Sequence, residues 1–203
     1  MARPQGALLD VFDVQRIEVL RGPQGTLFGK NASSGVLNVV SRKPGQQLAG
    51  FVDGGYYEGN EKRVRAGVSG ALVPNVIAAS LNALYADYDG NVNNVHAGGG
   101  KVNGYERKGL RARVDITPRE DLDIVLTADY LRGTGSPSFT AYQSTSAAFS
   151  QAIAPVVARP DNRSVNADLP SDIRDTNRGV SAQVDWRVNG YTLTSISAAR
   201  DWD

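Results

Sequence analysis

The chain has 203 residues, 41% of them hydrophobic, which suits one large all-β domain or a small domain plus part of another and excludes a disordered composition. Its 22 basic and 21 acidic residues leave a formal net charge of +1, so charge gives no reason to expect a nucleic-acid partner. With no cysteine there is neither a disulfide framework nor a thiolate metal site, and no run approaches the ~20 apolar residues of a spanning helix.

A membrane β-barrel stays open, because its strands need only ~9 to 11 residues and show alternate residues to lipid. The N-terminal stretch, residues 1–15, lacks the charged start, apolar run and cleavage site of a signal peptide. If the chain is exported, its natural beginning is expected further upstream. The 22 glycines, with a single methionine at position 1, suit strands and turns better than helices.

In chain order, Ile17, Val19 and Leu20 predict a short strand, and Gly22 and Pro23 a sharp turn. Thr26 to Phe28 and Gly29 follow, and after Gly35 a second strand runs from Val36 to Val40, closing at Pro44, which cannot donate a ladder hydrogen bond. The reading is a compact strand, turn, strand unit, in which Gly22, Gly25, Gly29 and Gly35 serve the backbone rather than a ligand. A phosphate-binding loop fails in detail: Gln24 stands where its first glycine is needed, and Asn31 stands where Ser or Thr must follow Lys30.

Seven segments of alternating polarity come next: Leu48 to Tyr57, Lys62 to Val73, Ile77 to Tyr85, Arg107 to Thr117, Asp121 to Leu131, Asn177 to Val188 and Tyr191 to Trp202. In the fourth, Leu110, Ala112, Val114 and Ile116 oppose Arg107, Arg111, Arg113 and Asp115. Tight turns are expected near Pro74, Pro118 and at Asn189-Gly190, and long connections from Asp89 to Glu106 and from Gly133 to Thr176. Glu58 to Glu61 is short although its parity puts it on the long-loop side. Short turns at one rim and long loops at the other are the habit of outer-membrane barrels. Alternation alone does not say whether the apolar faces meet in a soluble β-sandwich or look out at lipid.

Other candidates read plainly. His96 is the only histidine and reads as a solvated loop residue, with no second histidine or cysteine to complete a metal site. Asp121, Asp123 and Asp129 share a face with arginines and need no calcium, while Tyr85, Tyr88, Tyr130, Trp186 and Trp202 fit an interfacial aromatic girdle or a core about equally. No triad or carboxylate pair has support, so no catalysis, cofactor or metal is expected.

Residues 16–44 carry a further signal. Ile17-Glu18-Val19-Leu20-Arg21-Gly22-Pro23, Thr26-Leu27-Phe28-Gly29, Asn31-Ala32 with Gly35, Val36-Leu37-Asn38-Val39 and Arg42-Lys43-Pro44 resemble the C-terminal part of the plug domain of TonB-dependent outer-membrane receptors. The strands that follow resemble the first barrel strands of that family, through to Ala86-Asp87-Tyr88 and Gly90. The resemblance implies an all-β chain with plug residues at 1–46 and, at 47–203, about seven antiparallel strands of a 22-stranded barrel that seven strands cannot close. It also implies a Gram-negative outer-membrane protein that takes up a scarce nutrient, most often a ferric siderophore. Its partners would be the TonB energy-coupling protein and membrane lipid.

Glu18, Arg21, Gly22, Pro23, Gly25, Gly29 and Gly35 are then the plug motif and its contact with the barrel. In the family the arginine matched by Arg21 joins a charge cluster with glutamates on later strands, which would lie beyond Asp203. Two other readings stand beside this one: a soluble β-sandwich that binds sugar or protein, and a non-functional truncated remnant with unpaired sheet edges.

Overall fold

The computed structural model describes residues 13–28, 32–96, 99–136, 138–168 and 173–203. Strand β1 (Val14–Arg21) pairs antiparallel with β2 (Gly35–Ser41), and one helical turn, α1 (Gly25–Phe28), lies between them. The strand, turn, strand expectation had no helix in this place. Gly22 and Pro23 end β1, and Gln24 donates its backbone N–H to the Ala32 carbonyl at 2.8 Å, which closes the base of the excursion.

The remaining long strands form one antiparallel meander of β3 (Ala49–Tyr57), β4 (Glu61–Val73), β5 (Ile77–Tyr88), β8 (Tyr105–Arg119), β9 (Leu122–Gly135), β11 (Ile173–Val188) and β12 (Tyr191–Trp202), in spatial order β12-β11-β9-β8-β5-β4-β3. All seven expected segments are strands, and several run further than alternation alone indicated. Asn189 and Gly190 have φ of 50° and 80°, the positive pair that a two-residue hairpin with native strand twist requires. The tight turn expected near Pro118 falls at Glu120 and Asp121, and Pro118 itself lies inside β8, at a register shift between Ile116 and Arg119. A bulge tolerates the missing N–H that a regular ladder would not.

The long connections hold structure that alternation did not show. Strands β6 (Val92–Asn94) and β7 (Lys101–Val102), from one loop, join β10 (Ser164–Val165), from the other, in a three-stranded sheet. Helix α2 (Ala147–Ala152) starts at Ser146, whose hydroxyl accepts from the Phe149 N–H. Val92, Val102 and Val165 are buried together with Phe139 against them, the one apolar cluster of buried side chains among the described residues.

The seven-stranded sheet is inside out by the standard of a soluble domain. In register across six strands run Val68, Leu81, Ala112, Ala128, Val180 and Ala199 on one face. On that face Val68 is 49% exposed, Leu81 45% and Val180 59%. On the other face Ser80 is 9% exposed and Asn82 5%. Among the described residues nothing covers the apolar face, while the β1–β2 hairpin sits against the polar one, so the meeting of greasy faces that a sandwich requires does not occur there. This is the polarity of a barrel wall with lipid outside and a wet lumen inside.

Aromatic residues divide by parity. Tyr56, Tyr85 and Tyr130 stand on the outward face toward the long-loop rim, and Trp186 and Tyr191 on the same face toward the short-turn rim. Tyr88 and Trp202, which share the register rows of inward residues, are not part of this outward girdle.

Candidate functional site

The place where the hairpin meets the wall is built from its last residues and from the inward side chains of β5 and β8. Arg42 donates its backbone N–H to the Asp13 carbonyl at 3.0 Å, which draws the entry and exit of the hairpin together. Asp13 is 6% exposed. Burial pushes its carboxyl above the ordinary value, against the opposing pull of the Arg111, Arg42 and Arg113 guanidinium groups. One carboxylate oxygen has no hydrogen-bond partner, nor do the Ser80 hydroxyl and the Asn82 side-chain nitrogen facing it. These groups line a cleft of about 130 Å³ between hairpin and wall, together with Arg42, Lys43 and Phe51. Arg111 reaches across to the Ser41 hydroxyl at 3.4 Å. Polar atoms thus line much of the gap between hairpin and wall.

Beyond the cleft, the inward face is a ladder of charge pairs. Arg113 holds Asp115 through two bonds of 2.6 and 3.1 Å, and Arg200 holds Asp129 through two of 2.9 and 2.8 Å. Arg187 reaches Asp123 at 2.7 Å, with the Thr117 hydroxyl donating to the same carboxylate at 3.0 Å. At the short-turn rim, outside this inward ladder, Asp121 in the turn sits 3.3 Å from Arg119, which stands opposite Leu122 on the outward face, and accepts from the Trp186 ring nitrogen at 3.0 Å. Asp121, Asp123 and Asp129 therefore each have a guanidinium partner.

The plug-motif residues fall as follows. Glu18 lies opposite Asn38 in the β1–β2 register and accepts from Arg16 at 2.6 Å and from Asn38 at 2.8 Å, bonds that hold its carboxyl below the usual range, that from Arg16 foremost. Arg21 and Pro23 are exposed, and Arg21 has no ion pair among the described residues. Gly22 has φ +83°. At Gly35, φ is +150° and a Cβ would lie 2.7 Å from the Leu20 carbonyl oxygen, so the close pass of β2 over β1 excludes a side chain. Gly25 is different: open space surrounds it at the start of α1, and neither conformation nor contact demands glycine there. Gly29 lies outside the described residues.

The hairpin-to-wall contact is thus carried by Asp13, Ser41, Arg42 and Lys43; Arg42 and Lys43 belong to the motif but are not among its expected contact residues, and Asp13 lies outside it. His96 is exposed, with its ring nitrogen 3.1 Å from the Asn166 amide oxygen, and so links the two long loops. Asn94 strengthens the same junction by donating to the Ala167 carbonyl at 2.8 Å.

Residues 2–36 match the family model described as the TonB-dependent Receptor Plug Domain. The pesticin receptor of Yersinia pestis is 35% identical over 92 residues, 45% of this chain and 14% of that protein. The iron-regulated outer membrane virulence protein of Vibrio cholerae is 48% identical over 48 residues, 24% of this chain and 7% of that protein. Among solved structures, the ferric yersiniabactin uptake receptor FyuA from Yersinia pestis superposes with a TM-score of 0.78 at 21% identity, over 94% of this chain and 28% of that one. The ferripyoverdine receptor of the outer membrane of Pseudomonas aeruginosa gives 0.69 at 22% identity, over 91% and 23%. The chain thus spans about a seventh of the pesticin receptor's length. Residues 2–36 are similar to a TonB-dependent receptor plug, and the chain has the fold of the matching part of these outer-membrane receptors.

Proposed function

We propose that the chain is part of an outer-membrane active transporter that binds a ferric siderophore outside and releases it inward when TonB pulls on the plug. The observation that carries this reading is the inverted sheet: apolar side chains uncovered on one face, and a plug hairpin resting on the charged other face. Such a receptor needs a wall that lipid wets, a lumen that water wets, and a stopper whose contact with the lumen is polar enough to break and remake. The cleft behind Asp13 has that character. Residues 1–46 are assigned to the plug and 47–203 to the barrel, a division supported by the change of sheet between β2 and β3. The iron complex is cargo. No covalent step is assigned to any residue, and the relatives are named as receptors rather than enzymes.

Within this reading Glu18, Arg21, Gly22, Pro23, Gly25, Gly29 and Gly35 form the plug element that passes force from coupling protein to wall, with Arg21 as its exposed charge. The test separates binding from transport. In the receptor carrying this chain, Arg21→Ala is expected to leave binding of a ⁵⁵Fe-loaded siderophore to whole cells unchanged and to lower its energy-dependent accumulation. Normal accumulation by the mutant defeats the role of Arg21. Failure of the unmutated receptor to accumulate any of a panel of catecholate, hydroxamate and phenolate ferric siderophores defeats the transport reading itself.

A further inference from the structure

We propose that Asn189 is a site of spontaneous modification, where the side-chain amide is lost and the turn between β11 and β12 is rebuilt through an isoaspartyl link, while the fold shields Asn103, which stands in the same local sequence. The inference rests on the structure around these two residues and is independent of the transport reading. Of the asparagines in the chain only these two precede glycine, and both lie in the tetrapeptide Val-Asn-Gly-Tyr, at residues 102–105 and 188–191. Glycine matters because the attacking atom is the backbone nitrogen of the following residue, and a β-carbon there would obstruct its approach. With identical neighbours, a difference in reactivity between the two sites comes from the structure around them.

The chemistry needs only water. The Gly190 nitrogen loses its proton and forms a bond to Asn189 Cγ, and the side-chain nitrogen takes up the proton and leaves as ammonia, which closes a succinimide ring. Water then opens the ring at one of its two carbonyls. Opening at the former main-chain carbonyl leaves the chain running through the side-chain carbons, as isoaspartate, and opening at the other leaves aspartate. Both products carry a carboxylate where the amide was neutral.

The two asparagines share a left-handed backbone, with φ of 69° at Asn103 and 50° at Asn189. Their surroundings differ. The Asn103 side-chain nitrogen donates to Asn91 Oδ1 at 2.9 Å and to the Phe139 carbonyl at 2.8 Å, and its oxygen accepts the Phe139 N–H at 2.6 Å. The next residue is confined as well. A Cβ at Gly104 would lie 2.6 Å from the Tyr88 carbonyl oxygen and 2.7 Å from that of Asp89, and the Gly104 carbonyl accepts from the Ser136 N–H at 3.1 Å. Val102, on the other side, is buried with Val92 and Val165. Bringing the Gly104 nitrogen onto Asn103 Cγ would break the bonds of the amide and turn a peptide that backbone atoms enclose.

None of these restraints acts at the hairpin. Asn189 and Gly190 are exposed, and a Cβ at Gly190 would meet no heavy atom within 4 Å. The Asn189 side chain makes no hydrogen bond among the described residues. The last rung of the ladder joins Val188 to Tyr191, so the two tip residues lie beyond it. An isoaspartyl link adds a backbone carbon to a turn whose two residues match the strand twist through their positive φ values, and it should loosen that rung.

The test incubates the receptor carrying this chain at mildly alkaline pH, folded in detergent in one arm and unfolded in guanidinium in the other. Trypsin then releases Val102–Arg107 and Val188–Arg200, each with a single asparagine. Mass spectrometry reads the conversion of amide to acid in each fragment, and labelling by an isoaspartyl methyltransferase reads the isoaspartyl share. In the unfolded arm the two should convert at the same rate. In the folded arm Asn103 should convert at least about tenfold more slowly than Asn189, the scale of the hydrogen bonds it must first give up. Asn91→Ala, which removes one of those bonds, should speed Asn103 and leave Asn189 unchanged. Equal rates in the folded receptor overturn the proposal, as does an Asn189 that keeps its amide over a time in which the unfolded chain converts. A gap of the same size in the unfolded arm would trace the difference to sequence and overturn it too. Should the Asn91 variant not fold, the paired comparison on the unmutated receptor still decides.

Discussion

Gly35 and Asp13 show how single residues govern the plug hairpin. A β-carbon at Gly35 would press on the Leu20 carbonyl at 2.7 Å in a backbone conformation that L-residues avoid. Gly35→Val is therefore expected to destabilise the hairpin by about 1–3 kcal/mol, the usual cost of local backbone strain, and the loss would be read as faster amide exchange along β2. Asp13 acts through protonation. Its carboxyl is raised by burial from an ordinary value of 3.8, so the docked hairpin holds the proton more tightly than the freed segment does. The resulting stabilisation is complete below that ordinary value and is lost as pH rises through the raised one. The Arg42 amide, bonded to the Asp13 carbonyl, reports it: its protection should fall with rising pH after correction for intrinsic exchange, and Asp13→Asn should flatten the slope. A slope unchanged by that substitution would show that another group controls the contact.

At the scale of the strand, the sharpest test compares neighbours. Leu126 is 41% exposed on the outward face, and Thr127, the next residue, points inward among arginines and carboxylates. Leu126→Arg should cost about 2–4 kcal/mol of barrel stability in lipid, the penalty for a cation near the bilayer midplane, and Thr127→Arg much less. Equal penalties at both positions would mean that the faces have been assigned the wrong way round. The strands themselves were legible because Leu110, Ala112, Val114 and Ile116 alternate with Arg111, Arg113 and Asp115 without a break. Their direction was not, since a period of two is the same whether lipid or a second sheet lies outside. The strand before the turn near Pro118 runs two residues further than its alternation indicated, because a bulge accepts the missing N–H as readily as a turn does. Helix α2 left a usable signal in the Ser146 cap, but β6, β7 and β10 left almost none, being strands of two or three residues held by partners far away in sequence.

For the molecule as a whole, the motif at residues 16–44 made the architecture readable, because spacing and residue type were specified together over a continuous stretch. The contact between hairpin and wall was not readable, since Asp13, Ser41 and Lys43 acquire their role only when the sheet brings β5 and β8 beneath them. The uncovered apolar face also sets how the protein should behave in solution: it is expected to need detergent or lipid to remain dispersed, and analytical ultracentrifugation in plain buffer checks this, a folded monomer there being the contrary result.

One further effect follows from the parallel pairing of β6 with β10, which binds Asn93 and Asn94 to Ser164 and Val165 across some seventy positions of chain. The two long connections are thereby yoked, so that a pull on either one is felt by both. Lengthening the chain at Gly99 and Gly100 should disturb surface epitopes around Asn166 as strongly as those beside the insertion.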